Sequence, residues 1–162
     1  MLSPEDIFPL YAELSLGLAG FAGVVSAFAG RDRVFRPTER VRFLTVVAAS
    51  GCVLLGCFAV FGSLAWGASL SAAYQIAGVS CLAISAVFVA STFPPAWRGA
   101  RDPDSTTEQW SLFVSAGAYL AIFILYGGAI FSSVGFFSLV VGFSIQLLHG
   151  LWMFVLLLTR AN

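Results

Sequence analysis

The one histidine of the chain, His149, is the side chain best suited to chemistry, because an imidazole can carry a proton, bind a metal ion or exchange hydrogen bonds. It lies in an apolar stretch, residues 135–159, in which Gly142 and Gln146 share its face at helical spacing. At about 1.5 Å of rise per residue, His149 is roughly 15 Å from Thr159. We therefore expect it near the middle of a hydrocarbon layer about 30 Å thick.

A histidine at this depth allows three interpretations. The first is a neutral imidazole that is hydrogen-bonded to a serine, a glutamine or a backbone carbonyl of a neighbouring helix. The second is a group that handles protons or ions, because ionisable residues inside a membrane commonly belong to a transport path. The third is a ligand of a metal ion or of a haem.

Cys52 and Cys81 are predicted at the same depth as His149, because each lies about ten residues from the end of its own helix. Three soft ligands at one level would suit zinc, and a haem would need a second axial ligand. However, none of the three has another such ligand three or four residues away on its own helix. The sequence therefore predicts no metal site and no cofactor. An alternative function is a metal- or haem-binding membrane subunit in which His149 is a ligand.

Polar side chains within the apolar stretches suggest a second alternative. Glu13 and Gln75 are expected at a similar depth below one surface, and Gln146 and His149 lie deeper. An acidic side chain in hydrocarbon either reaches the interface or borders a water-filled space. The alternative function is therefore a small ion or proton channel or carrier, with a polar path through Glu13, Gln75, Gln146 and His149.

Sequence motifs of the common enzyme classes do not occur in the chain. It contains no Gly-x-Ser-x-Gly elbow, no His-Glu-x-x-His and no phosphate-binding glycine loop. An intramembrane hydrolase would need a serine marked out by its context beside His149, and no serine is. The sequence therefore predicts a protein that is not an enzyme.

Long apolar runs must position these residues. Charged residues make up 10% of the chain, against roughly 25% in an average soluble domain. Because the apolar stretch from residue 110 to 159 is too long for one crossing, we expect a break at Ser132–Gly135, with Gly127–Gly128 as an earlier alternative. The predicted fold class is an all-α, polytopic membrane protein, a single bundle of five transmembrane helices, with Pro94–Pro95 ending the third. The expected spans are residues 7–30, 41–66, 71–93, 110–131 and 135–159.

All eight basic residues are arginines, and five spans place them on one side of the membrane. The positive-inside rule makes that side cytoplasmic, which puts the C-terminus in the cytoplasm and the N-terminus outside. The arginine-rich, lysine-free composition suggests a bacterial inner membrane. One arginine cluster is a candidate for binding lipid headgroups or a partner: Arg31, Arg33, Arg36, Arg40 and Arg42. Membrane lipids are expected contacts, and nucleic acid is not, because the chain has no basic domain outside the membrane.

Small residues recur at helical spacing on the first, second and fifth spans, and close approach of this kind holds membrane helices together. On the fifth span the opposite side, which includes Phe143, is expected to face lipid. The glycines expected at helix contacts are Gly17, Gly20, Gly23, Gly56 and Gly142. This is more close-packing surface than one small bundle requires. The leading prediction is a non-enzymatic inner-membrane bundle that acts as a homo-oligomer or as a subunit of a larger membrane assembly.

Overall fold

A computed structural model describes residues 4–29, 37–99, 106–131 and 135–159 of the chain. These residues form five α-helices: α1 (Pro4–Ala29), α2 (Pro37–Ala65), α3 (Leu70–Gly99), α4 (Thr106–Phe131) and α5 (Gly135–Thr159). By length and composition, each helix can cross a membrane. The predicted all-α fold with five such helices is therefore confirmed, and the last apolar stretch is divided at the expected place.

The outer surface of the bundle is apolar as well as its interior. Large hydrophobic side chains such as Phe21, Leu120 and Phe131 are more than half exposed. A surface of this kind suits contact with lipid tails better than contact with water. Together with the five long apolar helices, it suggests a multi-pass membrane protein.

The turn between α2 and α3 follows from local sequence. Gly67 adopts a positive φ of 82°, which a residue without a Cβ does at little cost. Its amide donates to the carbonyl of Leu64 at 2.9 Å, and the amide of Ala68 donates to that of Ser63 at 3.0 Å. These two bonds form a Schellman ending of α2. Ser69 then caps α3, since its Oγ accepts a backbone amide of the first turn at 3.3 Å.

The prolines of α3 do not end that helix, which continues to Gly99. The sequence predicted that Pro94–Pro95 would stop it, because proline removes a backbone donor. That prediction was wrong about the helix, although the apolar part of α3 does end at Pro94.

Four of the helices form a ring. α2 packs against α3 and α5, α4 packs against the same two helices, and α3 also touches α5 across the middle. α1 lies outside the ring, in the groove between α2 and α5. Tyr11 of α1 fastens it there, because its hydroxyl donates to the carbonyl of Val140 at 3.2 Å and contacts the hydroxyl of Ser144.

The two ends of the bundle are named here after a residue that each buries. At the Phe8 end, Phe8 of α1 meets aromatic rings of α2, α3 and α5. At the Arg42 end, the beginnings of α2 and α4 lie beside the ends of α3 and α5, around the buried Arg42.

Two of the five predicted packing glycines lie at close helix contacts. A Cβ on Gly56 would lie 2.5 Å from the ring of Phe143, and one on Gly142 would lie 2.7 Å from the ring of Tyr126. Neither position has room for a side chain, so α5 approaches α2 and α4 closely at these points. Phe143 itself is fully buried rather than lipid-facing, because α5 contacts all four other helices and more than one of its faces is covered.

The glycines of α1 contact no other helix within the described residues. Gly17, Gly20 and Gly23 are exposed, and a Cβ on any of them would have no neighbour within 4 Å. α1 packs instead through a buried row that recurs every seven residues: Phe8, Ser15 and Ala22. The face of α1 that the sequence predicted for helix packing therefore points away from the other helices of the bundle.

Candidate functional site

A cavity of about 360 Å³ lies inside the Arg42 end of the bundle. Apolar side chains of α3, α4 and α5 make most of its wall: Phe88, Val89, Phe93, Leu112, Leu120, Phe123 and Met153. Leu120 is 62% exposed and Phe93 also reaches the outer surface, so the cavity extends to the outside of the bundle between α3 and α4.

Polar side chains interrupt this wall at a few points. The principal ones are Arg42 and Thr45 of α2, Ser115 and Tyr119 of α4, and His149 of α5. An apolar cavity with a few convergent polar groups is the usual composition of a small-molecule site. We therefore take this cavity as the candidate functional site.

His149 is held against α4. Its Nε2 lies 3.0 Å from Oγ of Ser115, and that hydroxyl donates to the carbonyl of Ser111 at 2.7 Å. Two rings flank the imidazole: Tyr119, edge to face with centroids 5.3 Å apart, and Trp152 at 6.2 Å. The imidazole is thus fixed in orientation by a serine of a neighbouring helix, the arrangement of the first interpretation drawn from the sequence.

Two polar atoms of the lining residues lack a hydrogen-bond partner among the described residues. They are Nδ1 of His149 and the hydroxyl oxygen of Tyr119, and both residues are more than nine-tenths buried. A buried polar atom without a partner costs roughly 1–3 kcal/mol, so a protein retains such atoms mainly where they have a use. Both atoms are themselves fully buried, so they lie behind the surface of the cavity rather than on it.

Arg42 crosses from α2 to the last turns of α5. It is 3% exposed, and its guanidinium donates to the carbonyl of Leu156 at 3.3 Å. A cation is favoured at the carboxyl end of a helix, where unpaired carbonyls give a partial negative charge. Arg42 therefore ties α2 to α5 at one end of the cavity. Of the other arginines in the predicted cluster, Arg40 is exposed on α2, and Arg31, Arg33 and Arg36 lie outside the described residues.

At the Phe8 end the interior is filled by aromatic rings. The ring of Phe8 lies within 6.3 Å, between centroids, of those of Phe61, Tyr74, Phe136 and Phe143. Edge-to-face pairs of this kind pack densely and each adds roughly 0.5–1.5 kcal/mol beyond area burial. This end of the bundle is closed.

Between the two ends, a second polar contact joins α4 to α5. The hydroxyl of Tyr126 donates to Oε1 of Gln146 at 2.5 Å, and both side chains are almost fully buried. Gln146 thus has a structural partner inside the bundle. Its bond satisfies two polar groups that would otherwise be costly in an apolar interior.

Cys52 and Cys81 meet, as their predicted depth allowed. The thiol of Cys52 donates to the carbonyl of Cys81 at 3.6 Å, and the thiol of Cys81 donates to the carbonyl of Cys52 at 3.5 Å. The pair therefore joins α2 to α3. His149 binds Ser115 instead, and the described residues contain no group of three His, Cys, Asp or Glu side chains that could hold a metal ion.

The four residues of the predicted polar path are not brought together in a single chain. Gln146 and His149 are buried within the ring of helices. Glu13 and Gln75 are exposed on the outer surface, and Glu13 lies in a shallow groove beside Leu10, Gly17 and Leu151. The path therefore has no continuous course through the interior that the structure describes.

Sequence reasoning missed the partners on α4. Ser111, Ser115, Tyr119 and Tyr126 are four, four and seven residues apart, which places them on one helical face. Each is polar within an apolar run, so the pattern was present in the sequence. It could not show that this face meets His149 and Gln146.

No protein-family model matches this chain, and comparisons with curated proteins and with solved structures found no match.

Proposed function

We propose that this protein is a non-enzymatic membrane bundle that binds a small, largely apolar molecule from the surrounding lipid in the cavity at the Arg42 end. The observation that carries the proposal is an otherwise apolar cavity whose wall includes the polar residues Arg42, Thr45, Ser115 and His149. An unoccupied packing defect would gain from apolar side chains at these positions, whereas a binding site needs polar groups to orient its ligand.

The size and position of the cavity support the proposal. Its volume of about 360 Å³ falls in the range of small-molecule sites, roughly 300–1,000 Å³. Its opening lies on the side of the bundle, at Leu120 and Phe93, rather than at the end of a continuous pore. A ligand that partitions into lipid would enter here without crossing water.

The channel and metal-binding alternatives draw less support from the geometry. The aromatic cluster around Phe8 fills the interior on one side of the Tyr126–Gln146 contact. Glu13 and Gln75, the two outer members of the predicted path, lie on the outside of the bundle. An ion would therefore need a route between copies of the chain rather than through one.

A photoreactive probe tests the binding proposal directly. The protein is reconstituted in nanodiscs and irradiated with a 4-alkylphenol that carries a diazirine in its alkyl chain, and adducts are mapped by mass spectrometry. We expect adducts on the cavity segments of α3 and α4 that disappear when the same phenol without the diazirine is added in excess. Adducts spread over the lipid-exposed surface, and not removed by competition, would refute the proposal.

A pair of substitutions controls this experiment. Ala116 lines the cavity, and Ala116→Phe places a ring in it, so saturable labelling is expected to be lost. Ala86 is exposed on α3 away from the cavity, and Ala86→Phe adds the same ring to the outer surface. Labelling of this control should match that of the unaltered protein.

The predicted homo-oligomer is a second candidate function, and the outward glycines of α1 favour it. Gly17, Gly20 and Gly23 form a smooth exposed face, and inside a bilayer such faces allow two helices to approach closely. Native mass spectrometry of the protein released from nanodiscs gives the copy number. Substitution Gly20→Leu should reduce an oligomer to single chains, whereas a single chain in the unaltered protein would dismiss this candidate.

The proposed location is a bacterial inner membrane with the Arg42 end on the cytoplasmic side. The arginine distribution in the sequence supports this orientation, because five spans would place all eight arginines on one side of the membrane. A cysteine introduced by Arg33→Cys tests it. Labelling of that cysteine by a membrane-impermeant maleimide added to intact cells would contradict the orientation.

A further inference from the structure

One carboxyl group lies on the outer surface of the bundle, well inside an apolar helix. Glu13 is exposed on α1, seven residues beyond Asp6, where the 20-residue apolar span of that helix begins. At about 1.5 Å per residue, Glu13 is roughly 10 Å into the span and about 4 Å short of its middle. Every other acidic residue of the sequence lies at the first residue of a candidate span or outside the spans.

The packing of α1 against α5 supports this depth. On one side of Glu13, the hydroxyl of Tyr11 contacts that of Ser144. On the other side, the side chain of Leu18 would lie 3.3 Å from a Cβ on Gly150. Glu13 is therefore level with a part of α5 between residues 144 and 150, and this interval contains the midpoint of the helix, residue 147.

The surroundings of Glu13 are apolar. Its exposed neighbours on α1 include Leu10, Leu14 and Phe21, each more than half exposed. The hydrogen bonds of Tyr11 and Ser15 lie on the packed side of α1, and none that the structure describes reaches Glu13. Acidic side chains at this depth of a membrane nearly always pair with another group or border water, because an unpaired carboxyl in hydrocarbon is costly. The pairing group must come from another molecule.

Glu13 also belongs to a row of exposed residues along the outer face of α1. Gly17, Gly20 and Val24 follow it at intervals of four, three and four residues, so they lie on one face of the helix. This face is opposite the buried row through which α1 packs on the bundle. The two glycines let a second helix approach closely enough for its side chains to reach Glu13.

We propose that two copies of the chain associate through this face of α1, with the two Glu13 carboxyl groups hydrogen-bonded to each other across a two-fold axis. This inference rests on the homo-oligomer given above as the second candidate function, and it names the contact. Both copies have the same orientation in a membrane, so a symmetric crossing of the two α1 helices brings Glu13 to its counterpart at the same depth. A protonated carboxyl donates and accepts, so two of them satisfy each other without net charge.

Gln75, exposed on α3, is the alternative counterpart. Its neighbour Tyr74 packs on Phe8, with ring centroids 6.2 Å apart, which places Gln75 about one helical turn nearer the Phe8 end than Glu13. A contact between Glu13 of one copy and Gln75 of the next is also head to tail, and it would build rings or chains. The symmetric contact matches in depth and closes at two copies.

Pairing in a bilayer tests the role of the carboxyl group. The full chain is labelled at its C-terminus with a donor or an acceptor dye, and energy transfer is measured in liposomes over a range of protein-to-lipid ratios. We expect Glu13→Leu to weaken pairing roughly tenfold, because the interhelical hydrogen bonds are lost. Glu13→Gln should retain it, since an amide also donates and accepts. Gln75→Leu is the control and should pair like the unaltered protein.

Cross-linking tests which face of α1 is in contact. Val24 and Leu14 are 53% and 54% exposed, but only Val24 belongs to the row that contains Glu13. Oxidation with copper phenanthroline should join Val24→Cys into a disulfide-linked dimer and leave Leu14→Cys as single chains. The three native cysteines are buried, so they should not contribute, and their low reactivity with a maleimide shows that each variant is folded.

The outcomes separate this inference from the oligomer itself. Pairing that is lost in Gly20→Leu but unchanged in Glu13→Leu would refute the carboxyl pair and leave the oligomer standing. A loss in Gln75→Leu as large as that in Glu13→Leu, or three or more copies in native mass spectrometry, would refute the two-fold contact. Single chains at every protein density would refute both.

Discussion

The two ends of the bundle use the same kinds of residue to opposite effect. At the Phe8 end, rings from α1, α2, α3 and α5 pack against one another around Phe8. At the Arg42 end, aromatic and aliphatic side chains of α3 and α4 stand around a cavity of about 360 Å³. Aromatic content alone therefore does not close a helix bundle.

The difference lies in what occupies the centre of each end. Phe8, on the helix outside the ring, inserts its side chain among the other aromatic rings and is almost fully buried. At the Arg42 end the facing positions are small, for example Ala96, Ser111, Ser115 and Ala116, and α1 contributes no aromatic ring to the core cluster there, only Ala22 and the half-buried Leu18. The Phe8 end is therefore densely packed, whereas the Arg42 end retains a cavity.

The largest expected effect on stability comes from removing a buried aromatic ring from the Phe8 end. Phe143→Ala removes a fully buried ring that contacts Phe8, Tyr11 and Tyr126, and we expect a loss of about 3–5 kcal/mol in the free energy of unfolding. Unfolding can be followed with a maleimide dye, because all three cysteines are buried and become reactive when the bundle opens.

Phe137→Ala is the control for that substitution. Phe137 lies on the same helix and is 69% exposed, so its removal should cost less than about 1 kcal/mol. Equal losses for Phe143→Ala and Phe137→Ala would mean that the Phe8 end is not the rigid part of the molecule.

The second effect tests the close approach of helices beside the aromatic cluster. In Gly56→Ala the new Cβ would lie 2.5 Å from the ring of Phe143, which other aromatic rings hold in place, so we expect a loss of about 1–3 kcal/mol. Gly62→Ala on the same helix meets nothing within 4 Å, and it should be neutral or slightly stabilising. Thermal unfolding of the two proteins by the same dye assay makes the comparison.

The third effect concerns the hydrogen bond between Tyr126 and Gln146, which lies between the two ends of the bundle. Tyr126→Phe leaves Oε1 of Gln146 without its donor, and we expect a loss of about 1 kcal/mol. The double substitution with Gln146→Leu removes both polar groups and should recover part of this loss. If the losses in the free energy of unfolding for Tyr126→Phe and Gln146→Leu add in the double variant, the hydrogen bond contributes nothing to stability.

The smallest effect is expected from adding a ring at the open end. Ala116→Phe enters a space that already exists, so the free energy of unfolding should change by less than about 0.5 kcal/mol. Ala77→Phe adds the same ring to a fully buried position in the core at the Phe8 end, and it should destabilise by about 1–3 kcal/mol or more. A large loss for Ala116→Phe would show that the cavity is not available to a ligand of this size.

Much of the fold was predictable because its cause is local. The long apolar runs predict five helices, and the turn between α2 and α3 depends on local properties of Gly67 and Ser69, the φ angle of the first and the cap that the second provides. The helical spacing of small and polar residues predicted that His149 and Gln146 lie on an inward face of α5, and both side chains are buried there in the structure. The same reasoning could not say which neighbour covers Gly17 and Gly20, and no other helix of the described residues does.

What the amino-acid sequence determined by itself is the number of helices, their apolar character and the polar groups that each carries inside. Only the tertiary structure decided that Ser115 orients His149, that Tyr126 binds Gln146, and that a cavity stays open around Tyr119. The physical reason is that helix formation depends on neighbours three or four residues away, whereas each of these contacts depends on how two helices rotate and lean against each other.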